Sequence, residues 1–447
     1  MSPVEPLHSG LATLVPLSPL LGFLVLGLVM LLHRVPAERT VARWVLGSLG
    51  VSLGCASATT LLWLSRPDKV LRVECFSVMG GLDVFLRIDA LSATMMLLTS
   101  LLALLIARFS VTYLHREPGF GRFFLLLTLA TSGMQWMTLG GSLELLFVGW
   151  EWVGLTSALL IGFFHERTTP VSAGLRAFGT YRLCDLGLLG GLVLMHHVLG
   201  TTAWSGSIQH LGAWPATAVS LCLLLAAMGK SAQLPFSGWL PRAMEGPTPS
   251  SALFYGALSI HAGPYLLLRA APLLERAPWA RGLVVVVGLL TAVQATLVWR
   301  VQTDVKGALA QSVLTQVGLM FAEVGLGLHT LALVHLVAHA GLRCHQFLKA
   351  PSALRDAKAR HAALRDAPVP SVAWVQRGLS TRVHRLAMER FALDELCERW
   401  AIKPVLRLGH WLDAGERRWE ATLDADPARA PTRSAEPAPD TSSTGAT

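Results

Sequence analysis

Runs of about twenty apolar residues, separated by short polar stretches, recur from the N-terminus to about residue 350. A helix of this length crosses the roughly 30 Å hydrocarbon core of a lipid bilayer. The pattern therefore predicts about eleven transmembrane helices. The predicted segments are Leu14–His33, Trp44–Leu64, Ala90–Tyr113, Phe123–Leu139, Leu143–Phe164, Phe178–Leu199, Val219–Leu234, Ser251–Leu268, Leu283–Trp299, Val305–Leu326 and Leu328–Leu348.

The same pattern divides the chain into four regions. Residues 1–89 contain the first two predicted helices and a polar, hairpin-like stretch, and residues 90–350 form a helical core. Residues 351–426 form an amphipathic, Arg-rich tail, broken by Pro404, that needs a membrane surface or a partner subunit to cover its apolar side chains. Residues 427–447, which are rich in Pro, Ser, Thr and Ala, are typical of disorder. We predict an all-α polytopic membrane protein with a cytoplasmic tail.

Composition agrees with a lipid environment. Hydrophobic residues make up 53% of the sequence and charged residues only 15%, a balance that excludes a soluble domain of this length. The net charge of +9 does not indicate nucleic-acid binding, because the basic residues lie in short loops and in the tail. Basic stretches at residues 33–43, 116–122 and 167–176 predict that the N-terminus lies outside and the tail in the cytoplasm. The basic stretches 66–87 and 269–281 oppose this orientation.

Redox cofactors and metals lack their usual sequence signals. The six cysteines show no C-x-x-C spacing, and no Gly-x-Gly-x-x-Gly motif opens a helix. His335 and His339 have His-x-x-x-His spacing, but no third ligand of suitable type is evident nearby. The sequence therefore predicts no cofactor and no metal, so any redox chemistry belongs to another subunit.

Two ionisable residues lie deep in predicted helices. Glu151 lies in the fifth segment, and Lys230 ends the apolar run of residues 221–229. The prolines after Lys230 predict a helix that breaks near membrane depth, where a broken helix lines a cavity or an ion path. A lysine that extends from a helix end to the membrane surface is the alternative. The prolines that mark the break are Pro235, Pro241 and Pro247.

Further ionisable groups follow helical spacing. Arg182 and Asp185 are three residues apart in the sixth segment, which predicts a charge pair of structural or functional use. His335, His339 and Arg343 recur every four residues and form one stripe on the eleventh segment, which fits a proton relay because histidine titrates near neutral pH. Weaker candidates, any of which is alternatively a satisfied polar group inside the bundle, are Lys306, Glu323, His261 and His345.

The motifs around these residues resemble a known superfamily. Glu151 lies in Trp-Glu-Trp-Val-Gly-Leu, and Lys230 begins Lys-Ser-Ala-Gln-Leu-Pro-Phe-Ser-Gly-Trp-Leu-Pro. With Arg-Ile-Asp-Ala-Leu-Ser from Arg87 and His-Leu-Val-Ala-His-Ala from His335, these motifs resemble the proton-conducting, antiporter-like subunits. That superfamily includes NADH-quinone oxidoreductase subunit L, Mrp antiporters and DabB-type subunits of inorganic-carbon transporters. The resemblance covers roughly residues 80–350, with a weaker match from Phe391.

The resemblance implies roles for the residues in these motifs. Glu151 and Lys230 would form the charge pair of a half-channel, and Lys230 would pass protons towards His335 and His339 on a central polar axis. The sequence departs from the family pattern at three positions: Arg242 replaces the usual Asp, Tyr255 a common His and Arg343 the usual Lys. Arginine keeps its proton, so Arg343 is better suited to act as a fixed charge. Family members have two inverted five-helix repeats, and we expect the second to stop here after about three helices.

The resemblance leads to one functional prediction and three alternatives. We predict a proton-translocating subunit of an NADH-quinone oxidoreductase-type complex in a bacterial inner membrane. It would have no redox site of its own, and it would reach quinone only through partner subunits. The alternatives are a DabB-type subunit that energises inorganic-carbon uptake with a soluble zinc partner, an Mrp-like cation/proton antiporter subunit, and a non-conducting scaffold.

Overall fold

The computed structural model describes most of the chain as helix. The described residues are 4–32, 36–66, 70–78, 82–204, 208, 210–350, 381–393, 395, 399 and 403–424. Helices α1 to α7 are Val4–Leu31, Glu38–Leu64, Ala90–Tyr113, Phe120–Leu139, Leu143–Ile161, Thr168–Leu199 and Ala213–Lys230. Helices α8 to α16 are Trp239–Arg242, Thr248–Ser251, Ala262–Arg269, Ala271–Glu275, Pro278–Trp299, Val305–Gly325, His329–Lys349, Thr381–Met388 and Lys403–Asp424.

Each predicted apolar segment lies largely in helix, although the seventh, predicted to reach Leu234, ends as helix at Lys230. Within the described residues, eight helices are long and apolar enough to cross a membrane: α1 from Ser9, α2, α3, α5, α6, α7, the combined stretch Thr248–Arg269, and α12. The remaining three predicted segments correspond to α4, α13 and α14, which have 20, 21 and 21 residues. The polytopic helical fold is thus confirmed, and the count of eleven crossings stays a prediction.

Apolar residues cover the outside of the bundle as well as its core. Leu28 and Leu186 are 58% and 62% exposed, as expected of side chains that face lipid. Polar side chains instead point inward: Ser132 bonds to the Pro16 carbonyl, and Gln135 bonds to the Met96 carbonyl. In lipid, van der Waals packing and internal hydrogen bonds hold helices together, because apolar burial alone offers little advantage.

The polar stretch before α3 is a β-hairpin. Strands β1 (Leu71–Val78) and β2 (Leu82–Ile88) pair antiparallel. Asp89 follows β2 and caps α3, because its carboxylate accepts a hydrogen bond from the Ser92 amide while the Asp89 amide donates to the Ser92 hydroxyl oxygen. The hairpin therefore leads directly into a fixed helix start.

The chain breaks after α7. This helix ends at Lys230, and Pro235 follows where a helix would need another backbone donor. After the break the chain forms the short helices α8 and α9 and then a π-helix at Ala252–Ala257, before α10 begins. π-Helical turns are rare and often lie at functional sites.

The chain divides into two compact units, residues 1–394 and residues 395–447. In the second unit, α16 begins at Lys403, so Pro404 occupies its first turn, where proline is tolerated. Trp411, Leu412 and Trp419 on α16 are 70%, 57% and 67% exposed. Residues 351–380 and 425–447 lie outside the described residues, and the second range includes the whole stretch, residues 427–447, in which disorder is predicted.

Candidate functional site

An ion cluster joins α5 to α6. Arg182 Nη2 contacts Glu151 Oε2 and also donates to Asp185 Oδ2 at 2.7 Å, so the pair expected from the i, i+3 spacing is formed. Asp185 accepts a second hydrogen bond, of 2.5 Å, from the indole Nε1 of Trp150. Two atoms of the cluster, Glu151 Oε1 and Arg182 Nε, have no hydrogen-bond partner among the described residues. The cluster is therefore held together but not fully satisfied.

Lys230 lies buried beside this cluster, with a residue exposure of 1%. Its Nζ donates to the Trp150 carbonyl at 3.1 Å and lies 5.0 Å from the Trp150 ring centroid and 4.6 Å from that of Tyr181. Both rings offer a cation–π contact to the ammonium group. The structure thus brings Glu151 and Lys230 to one site but gives each a different partner, and their direct pair stays a prediction.

The local sequence of α5 makes room for the ammonium group. A Cβ atom at Gly154 would lie 2.6 Å from Lys230 Nζ. Trp150 lies four residues before Gly154, so the carbonyl that accepts from Lys230, the Trp150 ring and the gap at Gly154 occur on one face of the helix. Glycine at this position therefore leaves space for the charged end of Lys230.

The stripe on α14 forms a hydrogen-bonded imidazole pair with the broken segment. His339 Nδ1 lies 2.9 Å from His261 Nε2, and Arg343 Nε donates to His339 Nε2 at 3.2 Å. At the other end, His261 Nδ1 lies 2.9 Å from the Ala257 carbonyl. The guanidinium must donate and the carbonyl must accept, so each imidazole carries its hydrogen on Nδ1. The positions of the hydrogens on the two imidazoles are therefore set by the Arg343 guanidinium at one end of the pair and the Ala257 carbonyl at the other.

The third member of the stripe has different partners. His335 Nδ1 lies 2.9 Å from Glu323 Oε1, and His335 Nε2 lies 3.1 Å from Gln316 Oε1. The rings of His335 and His339 are 6.2 Å apart between centroids, in an edge arrangement. The structure thus places Glu323 beside the stripe. His335 and Glu323 form one polar set, next to the set formed by His339 and His261.

Lys306 lies apart from the stripe. It occupies the first turn of α13, where Glu245 and Asp304 act on it electrostatically. Asp304 caps the same helix through the Gly307 amide at 2.5 Å. His345, the other weak candidate, is exposed. Lys306 is thus half-buried beside two acidic residues, whereas His345 lies at the surface of the described residues.

Sequence reasoning missed the neutral groups that hold the charged ones. Trp150 and Tyr181 flank Glu151 and Arg182 directly in sequence, and that adjacency was the available signal. Ser312, which accepts a 2.5 Å hydrogen bond from Arg343, carried no comparable signal because an isolated serine is common in membrane helices. Neutral positioning groups are visible only once the helices are packed.

The site lies inside a match to a known family. The transmembrane family described as NADH:quinone oxidoreductase/Mrp antiporter matches residues 140–367, about half of the chain. The chain belongs to this family. A second family, the N-terminus of chain 5 of NADH-ubiquinone oxidoreductase (complex I), matches residues 78–124. The first match contains every charged group of the site described above.

Similar sequences are found among respiratory subunits. The antiporter-like chain is 37% identical over 297 residues to NADH-quinone oxidoreductase subunit L of Campylobacter jejuni, which covers 66% of this chain and 50% of the relative. It is 40% identical over 319 residues to subunit L of Mycobacterium tuberculosis, with coverage of 67% and 50%. The chain thus spans about half the length of the curated relatives it matches.

Solved structures share the fold. The Mrp complex from Dietzia sp. DQ12-45-1b aligns with a TM-score of 0.64 and 28% identity, covering 77% of this chain and 37% of that chain. The membrane-bound sulfane sulfur reductase, an archaeal respiratory membrane complex, aligns with a TM-score of 0.65 at 20% identity, covering 75% and 70%. The predicted superfamily and its multi-pass antiporter-like fold are therefore confirmed.

Proposed function

We propose that this antiporter-like chain is a proton-translocating membrane subunit of an NADH-quinone oxidoreductase-type complex. The observation that carries the proposal is the buried ammonium group of Lys230, bound to the carbonyl of the residue that precedes Glu151. Ionisable groups at membrane depth are costly, and they mark ion paths. Membership of a family shared with subunit L supports the same function.

Arg182 holds the carboxylate of the proposed switch. In the structure it bridges Glu151 and Asp185, while one oxygen of Glu151 has no partner within the described part of the chain. If Arg182 turns fully to Asp185, Glu151 is released to pair with Lys230. A close carboxylate stabilises the protonated lysine, and burial without one destabilises it. Movement of the carboxylate therefore loads Lys230 with a proton or releases it.

The polar groups of α13 and α14 would carry the proton onward. His335 and His339 serve as the exchangeable groups of this path, and Arg343, which keeps its proton, acts as a fixed positive charge beside them. Lys306 and Glu323 lie in the first and last turns of α13. We assign them to the two ends of the path.

Location and partners follow from charge and exposure. We place the N-terminus outside and the tail in the cytoplasm of a bacterial inner membrane, because basic residues concentrate in alternate loops. The exposed apolar side chains of α16, among them Trp411 and Trp419, would be covered by a membrane surface or by another subunit. Quinone would be reached only through such partner subunits.

A second candidate is an Mrp-like cation/proton antiporter subunit. The likeness to the Dietzia Mrp complex, at 28% identity, favours it. The same Lys230 switch would serve in either case, and dependence of proton flux on sodium would separate the two.

Replacement of Lys230 tests the switch. We expect Lys230→Ala to abolish proton flux in proteoliposomes that contain the full chain, because the exchangeable cation is lost. Glu151→Gln should lower flux by at least about tenfold, since the lysine then lacks its counter-charge. Flux is measured with a pH-sensitive dye inside the vesicles after an imposed pH gradient.

The matched control is Lys349→Ala. Lys349 ends α14 and is exposed, so its loss removes a positive charge without touching the buried network. We expect wild-type flux from this variant. Wild-type flux from Lys230→Ala, at equal membrane insertion, would refute the proposed switch.

A further inference from the structure

The hydroxyl group of Ser231 joins the end of α7 to the start of α10. It donates to the Ile260 carbonyl at 2.7 Å and accepts from the Gly263 amide at 3.0 Å. Ser231 is fully buried and comes directly after Lys230, the last residue of α7. Ile260 and Gly263 lie on either side of Ala262, the first residue of α10. One side chain therefore bridges two helices at the points where each is interrupted.

Both partners of Ser231 are backbone groups that their own helix leaves unsatisfied. A helix would pair the Ile260 carbonyl with the amide of residue 264, but Pro264 has no amide hydrogen. The Gly263 amide belongs to the first turn of α10, whose amides have no carbonyl partner within that helix. This stretch is buried, so bulk water does not replace a missing bond. A hydroxyl group, which donates and accepts at once, satisfies both groups.

The end of α7 has a backbone conformation that needs support. Ala232 has a φ of 51°, in the left-handed region that glycine adopts more easily than alanine. The Gln233 amide donates back to the Met228 carbonyl at 2.8 Å, a bond typical of such helix ends. Strained conformations persist only where the surrounding contacts fix them. Ser231, which directly precedes Ala232, supplies two of these contacts.

Glycine at position 263 permits the close approach of the two helices. A Cβ atom there would overlap Ser231 Oγ and would lie 2.8 Å from the Ala227 carbonyl of α7. The hydroxyl group of Ser231 therefore occupies the space that a larger residue at 263 would fill.

We propose that Ser231 is a positioning residue that fixes the end of α7 against α10 and so keeps the ammonium group of Lys230 in its buried pocket. The two residues are adjacent, so the backbone that Ser231 holds is the backbone from which the lysine stem extends. That stem is flexible, and a lysine turns its charged end towards water when it can. The inference rests on the proposed function for its use, because Lys230 is the exchanging group there. In this role the Ser231 hydroxyl keeps its own hydrogen and takes no part in proton transfer.

Acetylation of Lys230 tests the positioning without a transport assay. The full chain in detergent is treated with acetic anhydride, and mass spectrometry gives the reaction rate of Lys230 relative to the exposed Lys349 in the same molecule. Ser231→Ala loses two hydrogen bonds, so the pocket should open more often and Lys230 should react at least about tenfold faster. Ser231→Thr keeps the hydroxyl group, and we expect its Lys230 rate to stay within about threefold of wild type.

Ser132→Ala is the matched control. Ser132 is also fully buried, and its hydroxyl donates to the Pro16 carbonyl at 2.9 Å, so it joins α4 to α1 far along the chain from Lys230. We expect the Lys230 rate of this variant to equal that of wild type. Thermal unfolding is measured for every variant, and acetylation is carried out well below the lowest unfolding temperature. If Ser231→Ala does not fold, Ser231→Cys replaces it, because a thiol has a similar size but forms only weak hydrogen bonds, and an intermediate rate is then expected.

Three results would overturn the positioning role. The first is a Lys230 that stays protected in Ser231→Ala, or in Ser231→Cys where that variant is used. The second is an equal rise in Ser132→Ala, which would show that exposure of Lys230 follows a general loss of stability. The third is a rate in Ser231→Thr as high as in Ser231→Ala, which would show that the hydroxyl group is not what holds the pocket closed.

Acetylation and flux together separate this inference from the proposed function. If Lys230→Ala abolishes proton flux while Ser231→Ala leaves Lys230 protected, the proposed function stands and only the positioning role fails. If Ser231→Ala exposes Lys230 while Lys230→Ala retains wild-type flux, Ser231 positions the lysine as inferred and the proposed function fails.

Discussion

Asp89 and Glu151 each contact an arginine inside the protein, but their surroundings differ. Asp89 binds the Ser92 amide with one oxygen, and with the other it binds Arg87 at 3.0 Å and Arg269 at 2.5 Å. Burial raises the pKa of Asp89, but the charge of Arg269 and the hydrogen bonds lower it by more. The net result is a pKa of about 2. Asp89 is therefore a fixed anion with every oxygen occupied.

Glu151 has a less complete set of partners. It shares Arg182 with Asp185, and its Oε1 atom has no partner among the described residues. A satisfied buried network holds one geometry, whereas an incomplete one costs stability and leaves a group able to change partners. The comparison supports the proposal made above, in which the Glu151 cluster takes part in transport, and sets it against an Asp89 cluster that stabilises the fold.

The largest expected effect is on stability, at Asp89. Asp89→Asn keeps a good helix cap but leaves the buried Arg269 without its counter-charge, so we expect a loss of about 3 kcal/mol in the free energy of unfolding. Unfolding is measured in detergent by temperature or denaturant. Proton flux per folded molecule should not change.

Asp304→Asn is the control for Asp89. Asp304 also caps a helix, α13, but it is exposed. Because asparagine caps nearly as well as aspartate, we expect a change below about 0.5 kcal/mol. An equal loss in both variants would show that the cap, and not the buried ion pair, stabilises the start of α3.

A smaller effect is expected at Arg182, on transport. Arg182→Lys keeps the positive charge but loses the planar fork that reaches Glu151 and Asp185 together, so flux should fall about fivefold. The unfolding temperature should change by only a few degrees, since the cluster is already incompletely satisfied. Proteoliposome flux and thermal unfolding are measured on the same preparation.

Arg269→Lys makes the reciprocal substitution in the other cluster. Arg269 Nε and Nη2 both donate to the Tyr265 hydroxyl, and its Nη1 binds Asp89, so lysine cannot replace all three bonds. We expect lower stability and unchanged flux. If Arg269→Lys lowers flux and Arg182→Lys lowers only stability, the assignment of the two clusters is reversed.

In both regions, the sequence identified the charged residues and the helices that carry them more reliably than the residues that these charged groups contact. Apolar runs located the helices because a bilayer demands long apolar segments, and Ala90–Tyr113 agrees at both ends. Charged residues such as Lys230 stood out because they are rare in such segments. The β-strands before Asp89 were predicted only as a hairpin-like stretch, since a short polar hairpin has a weak pattern.

Pairing between distant residues was the part that sequence could not supply. Spacing predicted Arg182 with Asp185, three residues apart on one helix. It did not predict Asp89 with Arg269, which are 180 residues apart, or Glu151 with Arg182, because these pairs depend on how helices pack. The resemblance led to an expected Glu151–Lys230 pair, whereas in the structure Glu151 contacts Arg182 and Lys230 donates to the Trp150 carbonyl.

The last prediction concerns pH and has the smallest expected effect near neutrality. The pKa of Asp89 is about 2 in the folded protein, below its unfolded value of about 3.9, so its stabilising contribution is fully present above about pH 4. The stability difference between wild type and Asp89→Asn should therefore stay constant from pH 8 to 5. It should shrink by about 2 kcal/mol as pH falls from about 4 to 2, because the carboxylate becomes protonated in the folded state as well. The free energy of unfolding is measured for both proteins at each pH. Their difference removes the contributions of the other carboxylates, which the two proteins share. A difference that already closes between pH 6 and 5 would mean that Arg269 does not hold Asp89 as an anion, and the contrast with Glu151 would then lose its basis.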